Sequence, residues 1–525
     1  MTWHGPRTRA QKPICALGMA CCRDGRALEP AETAESTDEG ALEPRSLTRR
    51  RFLKLAAGAG AIAGVLGLGA LSGLGIVYRP PVPPPWEIPG YPGVVDYTKV
   101  PEGKLTGPSP NTLKVAQWYD YWPGSFKTDF QNYMALQYGL NVTVEQDTFT
   151  SNEELFEWIT LGGKKYDVIF PTNHIVDNIK KTGLIYNLNL PWIENFANMW
   201  NDFIQVPHHV DSPDNLDQRL DPKPSGGTVI NTVSIPYFWG TTGIAWRVDQ
   251  IPKDQVEAVG LDFFAMDSYS PNAAGYPTTV TLDGKMRMLE DLRDVFTFGF
   301  KKAGQLWQAS QVPPLPFSPF VMPYTDTAGK SWAGTQWTSN ETDPARVNAM
   351  SAWLFQCKPH LFDFNSTGDT PSLIAGTAVL NQAWSGDIAY AQRPDQSNPQ
   401  PADYIVPYQG SRWWQDTCVI PSQCRNLWLA HRFINFIHSV DMTTGNTVWP
   451  ENQLLTKWNL YPTPNKACFD LLTPFANGYD MRADARLYPN LLAVDDWYRC
   501  DLPRDVGADV LVKQYNPLWF SLTSV

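Results

Sequence analysis

Charged side chains are scarce in this sequence. Only 18% of its 525 residues are Asp, Glu, Lys or Arg, which is below the quarter or so that is usual for soluble domains. Aromatic residues are plentiful at 13%, with 21 Trp. Because disordered chains are rich in charge and poor in aromatic residues, this composition excludes a chain that is disordered throughout. At about 150 residues per domain, the length predicts two to four domains that each bury a core.

Basic residues are also in the minority, with 42 against 53 acidic ones. Residues 1–78 have a net charge of +3, whereas residues 79–525 have a net charge of −14. Nucleic-acid binding requires a clustered basic face, so the acidic body predicts a protein that has no nucleic-acid partner. The same charge is compatible with a cationic ligand.

Cysteine spacing matches no zinc site. Three of the eight cysteines precede residue 48. The other five are Cys357, Cys418, Cys424, Cys468 and Cys500. An odd number cannot pair completely within one chain. A Cys418–Cys424 disulfide is permitted in an oxidising compartment but is not required by the spacing. We expect buried free thiols for most of them.

Common enzyme signatures are missing as well. The sequence contains no HExxH, GxSxG, Walker loop or dinucleotide fingerprint, and no repeat of 20–50 residues. The absence of a nucleophile–base pair or metal motif argues against an exported enzyme, and we expect no cofactor and no metal.

The N-terminal region has the features of an export signal. Thr48-Arg-Arg-Arg-Phe-Leu-Lys54 precedes an uncharged, glycine-rich run at residues 55–77, and this arrangement resembles a twin-arginine signal. The alternative is a basic cluster beside a membrane anchor, since 23 residues can span a bilayer of about 30 Å. We therefore predict a periplasmic or cell-surface protein. Its signal is either cleaved after export or retained, in which case residues 55–77 anchor the protein in the membrane.

Several other segments differ in composition from the body. Residues 1–47 are expected to be a disordered extension, residues 48–78 the signal or anchor, and residues 79–110 a Pro-rich tether. Residues 207–228 and 313–348 are expected to be inserted loops. The first loop contains His208, His209, Asp211, Asp214 and Asp217. Such a cluster can bind a metal, but a solvated loop is the commoner case.

From residue 112 onwards, strand-like and helix-like segments alternate. The predicted strands are 113–118, 142–145 and 167–170, and the predicted helices are 126–140, 151–155 and 175–181. This alternation predicts an α/β fold with a doubly wound, mainly parallel sheet. Ligands of such sheets bind beyond the carboxyl ends of the strands, so we expect a site near residues 118–121 and 172–174.

Seven collinear segments carry a resemblance to a known family. They are Asp147-Thr-Phe-Thr-Ser-Asn-Glu-Glu-Leu155, Tyr166-Asp-Val-Ile-Phe-Pro-Thr172, Ile235-Pro-Tyr-Phe-Trp-Gly-Thr-Thr-Gly-Ile244, Ala383-Trp-Ser-Gly-Asp387, Asp416-Thr-Cys-Val-Ile-Pro421, Phe433-Ile-Asn-Phe436 and Tyr461-Pro-Thr-Pro-Asn465. Over residues 110–500 the chain resembles the spermidine/putrescine-binding component of bacterial polyamine ABC transporters.

The resemblance implies a two-lobe periplasmic-binding-protein fold of type II, in which crossing strands join the lobes and a ligand binds in the cleft. Lobe 1 would comprise residues 111–245 and 416–470, and lobe 2 residues 246–415 and 471–525. It also implies a monomer that works with ABC permease membrane subunits and catalyses no reaction.

The resemblance further maps the family's ligand contacts onto this chain. The aromatic walls are Trp118, Tyr121, Trp384, Trp414 and Tyr461. The acidic anchors are Asp120, Asp291, Asp294 and Asp416, and Tyr119, Thr172 and His174 fill further contact positions. Carboxylates accept charge-assisted hydrogen bonds from ammonium groups, and aromatic faces cover methylenes and add about 0.5–2 kcal/mol of cation–π attraction each.

The spacing of residues along the sequence independently supports four of these assignments, in two pairs. Asp291 and Asp294 lie three residues apart at a predicted helix start, so they share one face of that helix. Trp414 and Asp416 lie two residues apart in an extended segment, so they point to the same side.

Four positions depart from the family's pattern. Tyr119 stands where a small hydroxyl residue is common, and Asp120 and Asp294 stand where longer glutamates are common. His174 stands where tyrosine is usual. Because a protonated imidazole repels an ammonium group, binding should weaken below about pH 6 if His174 lines the site. The departures leave putrescine, spermidine and related cations open. Another cationic amine, an amino-acid-like solute and a membrane-tethered sensor are the alternatives.

Overall fold

The computed structural model describes residues 84–91, 93–160, 163–200, 203, 232–335, 337–392 and 401–524. The predicted extension at 1–47, the export signal at 48–78 and the His/Asp loop at 207–228 lie outside the described residues, as does the start of the predicted tether. Within the described ranges, no helix is both long and apolar enough to cross a membrane.

Sixteen strands are found in the described residues. They are β1 Thr112–Trp118, β2 Thr143–Phe149, β3 Val168–Ile169, β4 Ile235–Arg247, β5 Ser268–Tyr269, β6 Val280–Thr281, β7 Met286–Met288, β8 Tyr324–Thr325, β9 Ser331–Trp332, β10 Leu361–Phe364, β11 Leu380–Trp384, β12 Ala402–Ile405, β13 Ser411–Cys418, β14 Met442–Thr444, β15 Thr447–Trp449 and β16 Cys500–Asp501.

The same residues contain fifteen α-helices. They are α1 Phe126–Tyr138, α2 Asn152–Thr160, α3 Asn173–Lys181, α4 Lys253–Val259, α5 Leu292–Ser310, α6 Pro344–Cys357, α7 Asp369–Ile374, α8 Ser385–Ala391, α9 Leu427–Ile437, α10 Glu451–Asn459, α11 Lys466–Leu471, α12 Pro489–Leu492, α13 Val494–Tyr498, α14 Ala508–Val510 and α15 Asn516–Thr523. The strand–helix alternation predicted over residues 112–181 is confirmed.

Local sequence sets several of these helix ends. Gly139 terminates α1 in the left-handed conformation at φ 66°, which glycine adopts without a steric penalty. Asp291 begins α5 by accepting hydrogen bonds from the backbone N–H groups of Arg293 and Asp294. Asp343 caps α6 in the same way, and Pro344 occupies the first helical position.

Two sheets organise the described chain. The smaller has the strand order β2-β1-β3 and is parallel throughout. The larger has the order β10-β7-β11-β4-β13-β16, and β12 also pairs with β4. In this sheet β4 runs antiparallel to β11, β12 and β13, whereas the pairs β10–β7, β7–β11 and β13–β16 are parallel. Bridges from Thr172 to Asp416 in β13, and from Ile169 to Val419 just after β13, link this part of the chain to the smaller sheet.

Buried side chains divide into two large clusters. The first draws on residues 86–199, 233–238 and 414–461, and the second on residues 244–405 and 506–522. The strand β4 supplies Ile235 to the first cluster and Ile244 to the second, so this strand passes from one core to the other. The predicted lobe boundaries stay a prediction.

Part of the segment predicted to be a tether packs on the first cluster. Trp86, Val95 and Val100 are buried there. The backbone N–H of Val95 also donates a 2.7 Å hydrogen bond to the side chain of Asn187. Proline limits helix formation in this segment but does not prevent its apolar side chains from docking.

The second predicted loop, at residues 313–348, contains more structure than expected. The strands β8 and β9 form a hairpin inside it, and α6 begins at Pro344 rather than after residue 348. The expectation of free thiols is confirmed, since the five cysteines of the body are all buried and unpaired. The permitted Cys418–Cys424 disulfide is therefore not formed.

Gly243 lies where β4 and β12 approach closely. A Cβ atom at this position would overlap the carbonyl oxygen of Ile405 and come within 2.5 Å of Cζ of Tyr404. Gly243→Ala should therefore lower the free energy of unfolding by about 1–3 kcal/mol, because the backbone of β12 must shift. Urea unfolding measures this change.

The matched control is Gly124→Ala, because an added Cβ atom there meets nothing within 4 Å. Its free energy of unfolding should stay within about 0.5 kcal/mol of the wild type. Equal stabilities of the two variants would contradict the close approach of β12 to β4.

Candidate functional site

A cavity of about 280 Å³ opens at the carboxyl ends of β1 and β11, beside β13 and the start of α5. Its lining combines aromatic and acidic side chains from residues that are distant in sequence. The lining residues are Trp118, Tyr119, Asp120, Tyr121, Phe149, Thr150, Thr172, Asp291, Asp294, Ser366, Thr367, Asp369, Thr370, Pro371, Ile374, Trp384, Asp387, Tyr390, Arg412, Trp414, Asp416, Asn459 and Tyr461.

The structure brings eleven of the twelve predicted site residues to this cavity. They are Trp118, Tyr119, Asp120, Tyr121, Thr172, Asp291, Asp294, Trp384, Trp414, Asp416 and Tyr461. His174 is not among the lining residues. It lies in the first turn of α3 with 3% of its surface exposed. A pH effect that acts through His174 as a lining residue therefore has no geometric basis.

Aromatic rings form a continuous wall along the cavity. The ring centroids of Trp118 and Trp384 are 6.4 Å apart, those of Trp384 and Trp414 are 6.3 Å apart, and those of Trp414 and Tyr461 are 5.3 Å apart. Tyr121 stacks on Tyr461 at 5.4 Å and an interplanar angle of 27°. Such a wall covers the apolar part of a ligand and attracts a cation held over the ring faces.

The backbone explains why these rings meet. Trp118 and Trp384 are the last residues of β1 and β11, so both reach the edge where the strands end. Trp414 lies in the middle of β13. Asp120 follows β1 with a left-handed φ of 56°, a conformation that Asp tolerates better than most residues, and it is part of the cavity lining.

Asp416 is the most completely enclosed carboxylate of the predicted set. Only 1% of its surface is exposed. Thr172 donates its hydroxyl to Oδ1 at 2.7 Å, and Tyr121 donates its hydroxyl to Oδ2 at 3.0 Å. Burial raises the pKa of Asp416 to about 7, and the two hydrogen bonds oppose this rise.

Asn152 orients the hydroxyl of Thr172. Its side-chain amide donates a 3.1 Å hydrogen bond to Oγ1 of Thr172, and its Oδ1 accepts the backbone N–H of Thr172 at 3.0 Å. The Thr172 hydroxyl proton is thereby left to point at Asp416. The sequence reasoning missed this role, because Asn152 is separated from Thr172 by 20 residues.

The Asp291–Asp294 pair lies beside a basic residue that the sequence reasoning also missed. The Nη1 atom of Arg412 is 3.4 Å from Oδ1 of Asp294 and 3.7 Å from Oδ1 of Asp291. Asp294 also accepts hydrogen bonds from the indole of Trp384 at 3.0 Å and from the hydroxyl of Thr242. Burial raises the pKa of Asp294 to about 6, although Arg412 opposes this. Strand alternation, which placed Trp414 and Asp416 together, also indicates Arg412 two residues earlier.

A second acidic pair, Asp369 and Asp387, lines the cavity from α7 and α8. Tyr461 donates its hydroxyl to Oδ1 of Asp387 at 2.6 Å. Burial raises the pKa of Asp387 to about 6. Burial, with a smaller contribution from the charge of Asp387, holds the pKa of Asp369 well above its usual range. Asp387 lies three residues after Trp384, within a segment that carried the family resemblance. Its position in the sequence could therefore have indicated that it lines the site.

Taken together, the lining residues create an acidic cavity that is enclosed by aromatic rings. Ionised carboxylates in such surroundings are poorly solvated, which explains their raised pKa values. A cation that enters the cavity would restore the missing solvation and pair with the carboxylates. The arrangement therefore favours a ligand that is positively charged and partly apolar.

Sequence comparison places this chain among known proteins. Residues 130–446 match the family described as bacterial extracellular solute-binding protein. The spermidine/putrescine-binding periplasmic protein of Escherichia coli (strain K12) is 24% identical over 401 residues, which cover 76% of this chain and 88% of the relative. The putrescine/cadaverine-binding protein of Pseudomonas aeruginosa is 22% identical over 348 residues, covering 66% and 77%.

Solved structures show a similar fold. The spermidine/putrescine ABC transporter substrate-binding protein PotD of Streptococcus pneumoniae has a TM-score of 0.52 at 19% identity, covering 78% of this chain and 98% of its own. The Tp0655 lipoprotein of Treponema pallidum has a TM-score of 0.52 at 20% identity, covering 78% and 99%. The predicted two-lobe periplasmic-binding-protein fold is thereby confirmed.

Asp416→Asn should change how stability depends on pH. The pKa of Asp416 is about 7 in the folded chain against an ordinary 3.8, so the wild type loses stability as the pH rises from about 4 to about 7. The variant has no such proton. Its free energy of unfolding relative to the wild type should rise by about 2 kcal/mol between pH 5 and pH 8. Urea unfolding of the ligand-free protein at both pH values measures this.

Asp326→Asn provides the control. The indole of Trp332 holds the pKa of this half-buried carboxyl below its usual range, so Asp326 stays ionised at both pH values. Its effect on stability should therefore be the same at pH 5 and pH 8. The same pH-independence in Asp416→Asn would contradict the raised pKa of Asp416.

Proposed function

The chain belongs to the family of bacterial extracellular solute-binding proteins, and from this premise we propose that it binds a polyamine, putrescine or spermidine, for an ABC importer. The observation that carries this proposal is the row of buried carboxylates that faces an aromatic wall in one cavity. A polyamine has ammonium groups at fixed intervals along an apolar chain, and this cavity offers a complementary surface for both parts.

Asp416 supplies the central charge in this scheme. Its two oxygens each accept one hydrogen bond, from Thr172 and Tyr121, and each retains a further lone pair for an ammonium group. The neighbouring rings of Trp414 and Tyr461 exclude water, so a charge-assisted hydrogen bond gains strength there.

Asp387 supplies a second charge in the same cavity. Tyr461 donates to its Oδ1 oxygen, and Trp384 precedes it by three residues at the end of β11. Asp387 lies on α8 and Asp416 lies on β13, so the two carboxylates enter the cavity from different elements. A ligand with an ammonium group at each end can pair with both.

The names of the relatives agree with this chemistry, since the matched proteins of E. coli and P. aeruginosa are described as binding spermidine, putrescine or cadaverine. Transfer to the membrane subunits of a permease completes the proposed role. We propose that binding involves no covalent step, that the protein acts as a monomer in the periplasm or at the cell surface after twin-arginine export, and that the two lobes close on the ligand.

Calorimetry of the full chain tests this function directly. Putrescine or spermidine should bind with measurable heat, whereas basic amino acids should not. Asp416→Asn should weaken the binding of the preferred polyamine by about 1.5–3 kcal/mol, because one ammonium loses a charged partner. Asp254→Asn, an exposed carboxylate at the start of α4, is the matched control and should bind like the wild type. The absence of binding heat with every polyamine would refute the proposal.

Affinity should also depend on pH. Asp294 and Asp387 have pKa values of about 6, and Asp416 has a pKa of about 7. A cation binds the ionised carboxylates, so affinity should rise from pH 5.5 to pH 8, by about tenfold or more, and then level off. Calorimetry at pH 5.5 in buffers of different ionisation enthalpy should show proton release on binding. Equal affinity at both pH values would contradict a role for these carboxylates.

A further inference from the structure

Arg412 is the single basic side chain among the residues described as lining the cavity. It is 1% exposed, and it lies on β13 two residues before Trp414. Its Nη1 atom lies 3.4 Å and 3.7 Å from the two predicted anchors Asp294 and Asp291. Within the described part of the chain, its Nε and Nη1 atoms have no hydrogen-bond partner.

The two anchors are also engaged by the protein itself. Oδ1 of Asp291 accepts the backbone N–H groups of Arg293 and Asp294, both at 3.0 Å, as the cap of α5. Asp294 accepts the indole of Trp384 and the hydroxyl of Thr242. An ammonium group that reached this pair would meet carboxylates that already accept hydrogen bonds from the protein, and it would lie next to a guanidinium of its own sign.

We propose that Arg412 acts as a built-in cation that fills the Asp291–Asp294 subsite, and that the cavity consequently selects a diamine over a triamine. This inference rests on the proposed function. Like charges brought together in a desolvated site repel each other strongly, so a third ammonium group at this end is disfavoured. Arginine suits such a role because it cannot lose its proton at any physiological pH.

Two other places remain for the ammonium groups of a ligand. Asp416 is one, and the pair Asp369 and Asp387 is the other. Asp369 is only 2% exposed. Its Oδ2 atom is buried and has no hydrogen-bond partner among the described residues. Among the described residues no basic side chain forms an ion pair with Asp369, Asp387 or Asp416, although the charge of Arg412 acts at longer range against the burial that raises the pKa of Asp416. Two acidic positions that lack an ion-paired internal cation match a ligand with two ammonium groups.

Calorimetry with putrescine and spermidine tests this inference on the full chain and on Arg412→Met. The wild type should bind putrescine at least about tenfold more tightly than spermidine. In Arg412→Met the ratio of the two dissociation constants should shift towards spermidine by at least about tenfold, because the emptied acidic pair then accepts the third ammonium. Arg412→Lys retains the charge and should retain the wild-type preference.

The matched control is Arg432→Met. Arg432 is also a buried arginine paired with a carboxylate, 3.3 Å from Glu194, but it lies outside the cavity lining. Its replacement should leave the ratio of putrescine to spermidine affinity unchanged, whatever it does to stability. Thermal unfolding followed by circular dichroism establishes that each variant is folded.

The outcomes separate the two proposals. If the wild type binds no polyamine, the proposed function fails. If the wild type binds polyamines and Arg412→Met keeps the same ratio, the function stands and the role of Arg412 is overturned. If Arg412→Met does not fold, the wild type decides, because spermidine affinity equal to or above putrescine affinity overturns the inference by itself.

Discussion

The antiparallel pairing of β4 with β13 is the constraint on which the rest of the described structure depends. β4 runs for 13 residues and is buried along almost its whole length, which requires apolar cover on both sides. Its first half packs in one core and its second half in the other. Because β13 is paired alongside it and also bridges to the smaller sheet, any side chain on the cavity-facing side of β13 stands between the two cores. Arg412, Trp414 and Asp416 occupy that position.

The cavity places charge where the protein can hardly solvate it. Carboxylates on β13, α5 and α8 are surrounded by indole and phenol rings, and their pKa values rise because burial disfavours the ionised form. Hydrogen bonds from Thr172, Tyr121 and Tyr461 offset part of this cost. The remainder is a disadvantage for the ligand-free protein, and a bound cation removes it. Binding strength and reduced stability of the empty state therefore have one physical origin.

Arg412 changes how the acidic residues of the cavity are counted. The number of aspartates in the lining is larger than the number of positive charges that a ligand can neutralise there, since one guanidinium lies within 3.7 Å of two of these aspartates. A buried arginine is costly unless carboxylates compensate it, so the Asp291–Asp294 pair and Arg412 stabilise one another in the absence of ligand. What is left to recognise a ligand is Asp416 and the pair on α7 and α8. Under the proposed function, the specificity of the site thus depends on an internal ion pair as well as on the residues that face the solute.

Local sequence determined the strands and helices of residues 112–181, the cap at Asp291 and the shared direction of Trp414 and Asp416, because hydrogen-bond capping and strand alternation act over a few residues. The family resemblance carried by seven segments predicted eleven of the residues that line the cavity. Only the tertiary structure decided that His174 turns into the protein, that Asn152 orients Thr172, that Arg412 meets Asp291 and Asp294, and that Asp369 joins Asp387. Some of these contacts join residues that are more than a hundred positions apart. Their geometry is set by how β4, β13 and the flanking helices pack, and no short segment of sequence encodes that packing.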